Sequence, residues 1–274
     1  MVIHGTEDAN DLPETTEGKR DLFPVSCERV VLEGGSVTSR HPKRRARLPS
    51  VFSTSLKPTE PAPASAPCRH PGPMLIEHRG HAPNVDATAY VAPTATLCGD
   101  VRVGPDARVL FGAVLTAEDG QVELGARCVV MEHALIRGRA SHPVWLGADV
   151  LVGPHAHVNG ATVDDGSFLA TGASLFPGAR LGRDVEVRIN GVVHVNTVLA
   201  DEAMVPIGWV AVGDPARILP PGDHEGIWAI QEGLDFPGTV YGLPRSASAR
   251  ARMERQAEWF AAHRDDRIVD ACRR

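Results

Sequence analysis

No stretch of this 274-residue chain approaches the run of about 20 apolar residues needed to span a bilayer, so no transmembrane helix is expected. The first residues lack the basic-then-apolar pattern of a secretory signal, because Glu7, Asp8 and Asp11 interrupt it at once. Cysteine is sparse: the five residues Cys27, Cys68, Cys98, Cys128 and Cys272 are an odd number with no CxxC pair. That pattern excludes a disulfide frame or a zinc ribbon and fits free thiols in a reducing compartment. There is no phosphate-binding loop, no Gly-x-Ser-x-Gly elbow and no Cys–His dyad. Positive charge is not in excess either: the net charge is −6, which argues against a general nucleic-acid or anionic-membrane surface. What remains is a cytoplasmic protein, 43% hydrophobic and 23% charged, long enough for one good-sized domain or two small ones.

Residues 1–73 differ from the rest. They contain ten of the 22 prolines and a basic run (Arg40, Lys43, Arg44, Arg45, Arg47) flanked by acidic residues, with no sustained apolar period of 2 or 3.6. Such a segment buries too little apolar area to offset its ordering entropy, so disorder is expected and the basic run reads as a solvated tail. The compositional break equally fits translation beginning at Met74, with 1–73 arising from a misplaced start codon.

From Val85 a six-residue phase sets in. Aliphatic residues recur at Val85, Val91, Leu97, Val103 and Val109; after an interruption following Leu115 they return at Leu124, Val130 and Ile136. A second interruption, Arg139 to Trp145, precedes Leu146 and Val152, and the block starting at Val158 is one residue short. The phase then holds from Val163 through Leu169, Leu175, Leu181 and Val187 to Val193, with Ala, Val, Ser or Thr usual at the fifth place. Three short strands of this kind make one triangular coil of about 18 residues, each coil stacking on the last at roughly 4.8 Å. The first residue of each six points into a narrow prism, and the fifth lies at an inward corner where only a small side chain fits. A hairpin sandwich would show alternation of period 2 and gives no reason for a phase of six. The fold expected is therefore all-β, a left-handed parallel β-helix over 74–221, with C-terminal α-helices over 222–274. Two helical stretches are read there. One runs from Glu225 to about Leu234, with Ile227, Trp228, Ile230 and Leu234 on one face. The other runs from Ser246 to about Ile268, with Met253, Ala257, Phe260 and Ala261 at helical spacing. Both would pack along the prism or cover its end, with Trp209 and Trp228 as the sealing residues.

Three segments carry a family resemblance: Val114-Leu-Thr-Ala-Glu-Asp, the run from Leu124 to Arg137, and the run from Leu146 to Thr162 with its five-residue block. With the exit Val212-Gly-Asp-Pro-Ala-Arg, they resemble the γ-class carbonic anhydrase family over about residues 85–221. The resemblance implies a homotrimer with metal sites between subunits. It places the family's three histidine ligands at Arg137, Pro154 and Asn159, its Arg and Asp at Thr116 and Glu118, and its active-site Gln at Met131. Arg is no ligand near neutral pH, the Pro side chain has no donor atom, and an Asn amide binds zinc poorly. A zinc centre that makes hydroxide needs three good ligands and an open position, so CO2 hydration is not expected.

By the coil count, Thr116, Arg137, Asn159, Phe176 and His194 fall in one outward column, while on a second face Glu132 lies beneath Pro154 and His133 beneath His155. In the family's trimer these faces meet, which predicts a polar intersubunit cleft. Its candidate catalytic groups are Glu118, Glu132, Arg137 and Asn159, and its candidate substrate-binding groups are Thr116, Arg137 and His157. His133 and His155 are candidate ligands for zinc or iron at new positions, or simply stacked polar residues on a turn. The Arg137 guanidinium fits a carboxylate or phosphate, or an intersubunit pair with Glu132 or Glu118. Asn159 suits orienting a substrate carbonyl or making a turn hydrogen bond. His142, on the second interruption, stands where this fold would place a lid or an acid–base residue, or is simply exposed. His194 reads as a surface residue, and as a general base only under an acyltransferase reading.

Three functions compete: a divergent enzyme acting on a small carboxylate or acyl substrate, a hexapeptide-repeat acyltransferase using acyl-CoA with a histidine base, and a non-enzymatic trimeric scaffold or binding protein. No nucleic-acid or membrane partner is expected. Fold alone does not choose among the three.

Overall fold

The structure, a computed structural model, describes residues 72–269. The expectations for residues 1–71 lie outside the described residues, as do Cys27, Cys68 and Cys272.

Every third strand falls in the same sheet. Met74–Glu77 pairs in parallel with Thr96–Cys98, which pairs in parallel with Val114–Ala117, and the series continues to Val210–Val212. The chain visits three faces in turn and builds sheets of ten, seven and seven strands, a parallel β-helix of about 8 turns. The six-residue phase has its expected cause. Leu97, Leu115, Ile136, Val158 and Leu175 stack in register on the inside of the ten-stranded sheet and are fully buried. Ala107, Ala113, Ala134, Ala156 and Ala173 fill the inward corners. Where the five-residue block drops one residue, Gly160 takes the turn at φ +57°, and any side chain there would press into His142.

The two interruptions are short excursions. Residues 118–121 separate strands Val114–Ala117 and Val122–Leu124, and residues 139–143 separate Leu135–Gly138 from Val144–Leu146. They lie one over the other, with the Ala140 amide donating to Asp119 Oδ1 at 2.9 Å. Both open edges of the ten-stranded sheet are closed by antiparallel strands, Arg217–Leu219 on Val210–Val212 and Arg267–Val269 on Met74–Glu77.

Three helices follow the prism: α1 (His224–Gln231), α2 (Phe236–Tyr241) and α3 (Ala249–Phe260). Side chains of Asp223, Asp235 and Ser248 cap their N-termini, and Gly242 ends α2 in the left-handed conformation. None is long and apolar enough to cross a membrane, nor is any other helix among the described residues.

This corrects the helix reading in several places. α2 was not foreseen, being a six-residue helix too short to show a period. The second stretch ends as a helix at Phe260; a 3-10 turn follows, and Ile268 lies in the closing strand, 74% exposed. Met253, Ala257 and Ala261 face solvent, as does Trp228 at 54% exposure, whereas Trp209 packs on the core. The physical reason lies in the surface the helices meet. The prism presents Arg137 and Arg139 there, so α3 is held by rings over cations: Arg139 Cζ lies 4.1 Å from the Trp259 ring centroid and Arg137 Cζ 5.6 Å from that of Phe260.

Leu115 is fully buried between Leu97 and Ile136. Leu115→Ala is expected to lower unfolding free energy by about 2–5 kcal/mol, because neighbouring coils cannot collapse into the gap. Urea denaturation checks this, and a loss under about 1 kcal/mol would contradict the packing described.

Candidate functional site

The outer face of the ten-stranded sheet carries a polar column fixed by strand register. Cys98 pairs with Thr116, Thr116 with Arg137 and Arg137 with Asn159. The column continues through Phe176 to His194, whose rings stack 6.0 Å apart. The C-terminal segment lies over it. Phe236 of α2 packs against Phe176 and His194, so His194 is buried rather than a surface residue, and it is not placed as an accessible base.

Glu118, at the start of the first excursion, is buried and organises the column's upper half. It accepts from Thr116 Oγ1 at 3.0 Å, lies 3.0 Å from His263 Nε2, and has Arg137 Nε at 3.8 Å. Arg137 thus has its acidic neighbour within its own chain. His263 and Asp266 come from beyond α3. Asp266 holds His78 Nδ1 at 2.6 Å and His263 Nδ1 at 2.8 Å, with Cys98 Sγ 3.8 Å away. Both ring nitrogens of His263 face carboxylates, an arrangement that favours the doubly protonated, cationic imidazole. Burial works against that charge, but the Asp266 hydrogen bond and the Glu118 charge outweigh it and raise the His263 pKa. Burial would raise Asp266 as well; the hydrogen bonds from His263 and His78 prevail and lower it. Burial, with the Asp266 and Glu118 charges behind it, pushes the Cys98 thiol up to about 12.

Two cavities flank the column. One of about 250 Å³ is lined by His78, His81, Asp100, Glu118, Asp119 and Gln121 among others. The other, of about 130 Å³, lies between prism and helices against Arg137, Arg139, His142, Asn159, Gln256 and Trp259 among others. Of its lining residues, Arg137 Nε and Asn159 Oδ1 are buried without hydrogen-bond partners, as is His157 Nε2. Burial, then the Arg137 charge, lowers the His157 pKa; burial alone lowers that of His142.

The sequence-derived candidates therefore separate into two groups. Thr116, Glu118, Arg137 and Asn159 come together on one face, with His157 one residue before Val158 of the inward column. Glu132, His133 and His155 sit at another corner. His133 and His155 are exposed, stack with ring centroids 5.3 Å apart, and take positive φ on consecutive turns. Within one chain they do not belong to a group of three or more ligating side chains; among the described residues that description fits His78, Cys98, His263 and Asp266. Sequence reasoning missed these four as a set. The spacing His263-x-x-Asp266 was the available signal, but nothing in it points to His78 or Cys98.

No protein-family model matches the chain. It is 33% identical over 144 residues to gamma carbonic anhydrase 1, mitochondrial, of Arabidopsis thaliana, covering 50% of each chain. It is 22% identical over 109 residues to a carbonic anhydrase of Geobacillus kaustophilus, covering 40% of this chain and 60% of that one. The chain spans about half the length of the first of these relatives. Among solved structures, a UDP-N-acetylglucosamine O-acyltransferase from Moraxella catarrhalis aligns with a TM-score of 0.42 at 15% identity, covering 65% of this chain and 87% of that one.

His157 and His194 both have pKa values lowered, first by burial. Below about pH 6.5 the unfolded chain takes up protons there that the folded chain does not. Their contribution to stability is whole above that pH and is lost as pH falls. The double variant His157→Gln/His194→Phe should lose less unfolding free energy than the parent between about pH 7 and pH 5. Urea titrations at the two pH values check it, and equal losses would show that these imidazoles titrate freely.

Proposed function

We propose that this chain, similar to γ-carbonic anhydrases over about half its length, is a divergent relative that does not hydrate CO2 and instead holds a small carboxylate-bearing or acyl substrate on its polar column. The family's metal has no suitable donors at the corresponding places. Arg137 is a cation with Glu118 beside it, the Pro154 side chain has no donor and its carbonyl already accepts from Gly172, and Asn159 offers one amide oxygen. No step through a metal at those positions follows.

The observation that carries the reading is that Arg137 Nε and Asn159 Oδ1, buried without hydrogen-bond partners, belong to residues that line the 130 Å³ cavity. Unsatisfied buried polar groups cost about 1–3 kcal/mol each, so their retention beside a cavity suits a ligand that pairs with them. Arg139 lines the same space; burial and the Arg137 charge both work against its cation, and an anion would relieve both. Two guanidinium residues and an amide lining one cavity suit a carboxylate carrying one further donor. The cavity has room for a few heavy atoms, taking about 30 Å³ per water-sized group. Glu118 lines the neighbouring 250 Å³ cavity and has Arg137 Nε at 3.8 Å, so its part in this reading is to hold the guanidinium in place.

A homotrimer completes the proposal. An apolar groove of about 440 Å³ on the third face, lined by Leu151, Phe168, Ile189 and Ile207 among others, supports a surface covered by another copy. Glu132, His133 and His155 lie toward that side, and their part in chemistry depends on the assembly.

Calorimetric titration of the full chain with small carboxylates tests the site. Binding is expected, and Arg137→Gln should weaken it by about 10- to 100-fold, the worth of a charged hydrogen bond. Undiminished binding by that variant, or proton release from CO2 by the purified protein, would overturn the proposal. Sedimentation should find three copies for the parent and fewer for Phe168→Asp/Ile207→Asp; a monomeric parent removes the trimer.

A further inference from the structure

The second cluster stands apart from the Arg137 cavity and from every position where the family resemblance puts a metal. His78 follows the first strand, Cys98 ends the second strand of the same sheet, and His263 and Asp266 lie just before the closing strand. One donor atom from each of the four lies within 4.8 Å of the other three. Zinc–ligand bonds of about 2.0–2.3 Å set tetrahedral donors roughly 3.3–3.8 Å apart, so each donor needs to move by less than about 1 Å to close on an ion.

We infer that His78, Cys98, His263 and Asp266 form a four-ligand site for a zinc-class divalent cation, a clasp that ties the C-terminal strand to the first coil. The donor set is two imidazoles, a thiolate and a carboxylate, which suits zinc among the divalent cations. Glu118 supports it from outside. With Nδ1 of His263 turned to the centre, its Nε2–H donates to Glu118 Oε2 at 3.0 Å, the outer carboxylate that metal-bound imidazoles commonly have. Glu118 is itself steadied by Thr116 Oγ1. A plain His–Asp clamp accounts for the imidazoles and Asp266, but gives no part to a buried thiol 3.8 Å from the same carboxylate. On uptake, the cation replaces the Cys98 thiol proton and the His263 Nδ1 proton, which pass to solvent, while His78 offers one ring nitrogen and keeps a proton on the other. All four positions are filled by protein, so the site is structural, with no open place for a reacting water.

The test uses the full chain stripped with a chelator and titrated with zinc, and in parallel with cobalt(II). One equivalent should bind, the cobalt form should show a thiolate charge-transfer band, and zinc should raise Tm by about 5–10 °C at saturating concentration. Cys98→Ser should abolish the band and weaken zinc on the order of 100-fold, and Asp266→Asn should act alike. His133→Ala/His155→Ala should leave zinc affinity unchanged, and Cys98→Ser should leave carboxylate binding at the Arg137 cavity unchanged, which separates this site from the one proposed above. Lack of stoichiometric uptake, or uptake unaffected by Cys98→Ser, would overturn the inference. If Asp266→Asn fails to fold, Cys98→Ser alone decides, since a serine preserves the volume.

Discussion

The constraint on which the rest of this molecule depends is the parallel pairing of each strand with the one a coil earlier. Hydrogen bonds fix neighbouring coils at the β-sheet spacing, so a residue's nearest outward neighbours are set by register. Thr116 meets Arg137, and Arg137 meets Asn159, because Leu115, Ile136 and Val158 must line up inside. The polar column is a by-product of the apolar one. The same constraint leaves little freedom at the corners, and the excursions at 118–121 and 139–143 are where the chain departs from it. Glu118 and Arg139 both come from those departures.

A prism face that carries charge cannot be covered by an aliphatic helix. The chain's solution is to lay rings on cations and to spend backbone caps on short helices. Trp259 and Phe260 over Arg139 and Arg137 do what a leucine face does elsewhere, while Met253 and Ala257 are left to solvent. Desolvating Arg139 in this way is costly, and burial lowers its pKa accordingly.

The prism was legible in the sequence because its signal repeats. A six-residue phase samples the same geometric demand at Leu97, Leu115, Ile136 and their successors, and one misread position changes nothing. The Thr116–Arg137–Asn159 alignment followed from counting along that phase. The cluster around Asp266 was not legible, because its members stand outside or at the edge of the repeat: His78 before the first block, His263 and Asp266 after the last. The antiparallel pairing of Arg267–Val269 with Met74–Glu77 brings them together, and a three-residue strand has no period to read. The helix reading failed for a related reason. Spacing identifies an apolar stripe but does not say which face the partner surface will accept, and here the partner was polar.

That closing strand has a further consequence for solubility. A stack of parallel coils ends in an unsatisfied row of backbone donors and acceptors that matches the row at its other end, so bare prisms are suited to growing into fibres by adding one molecule to the next. Antiparallel strands at both ends of the ten-stranded sheet present the wrong direction for a following parallel coil. Arg267–Val269 therefore limits the length of the assembly as well as holding two side chains in place. A chain cut off after Phe260 would bare that row at one end, while Arg217–Leu219 still closed the other.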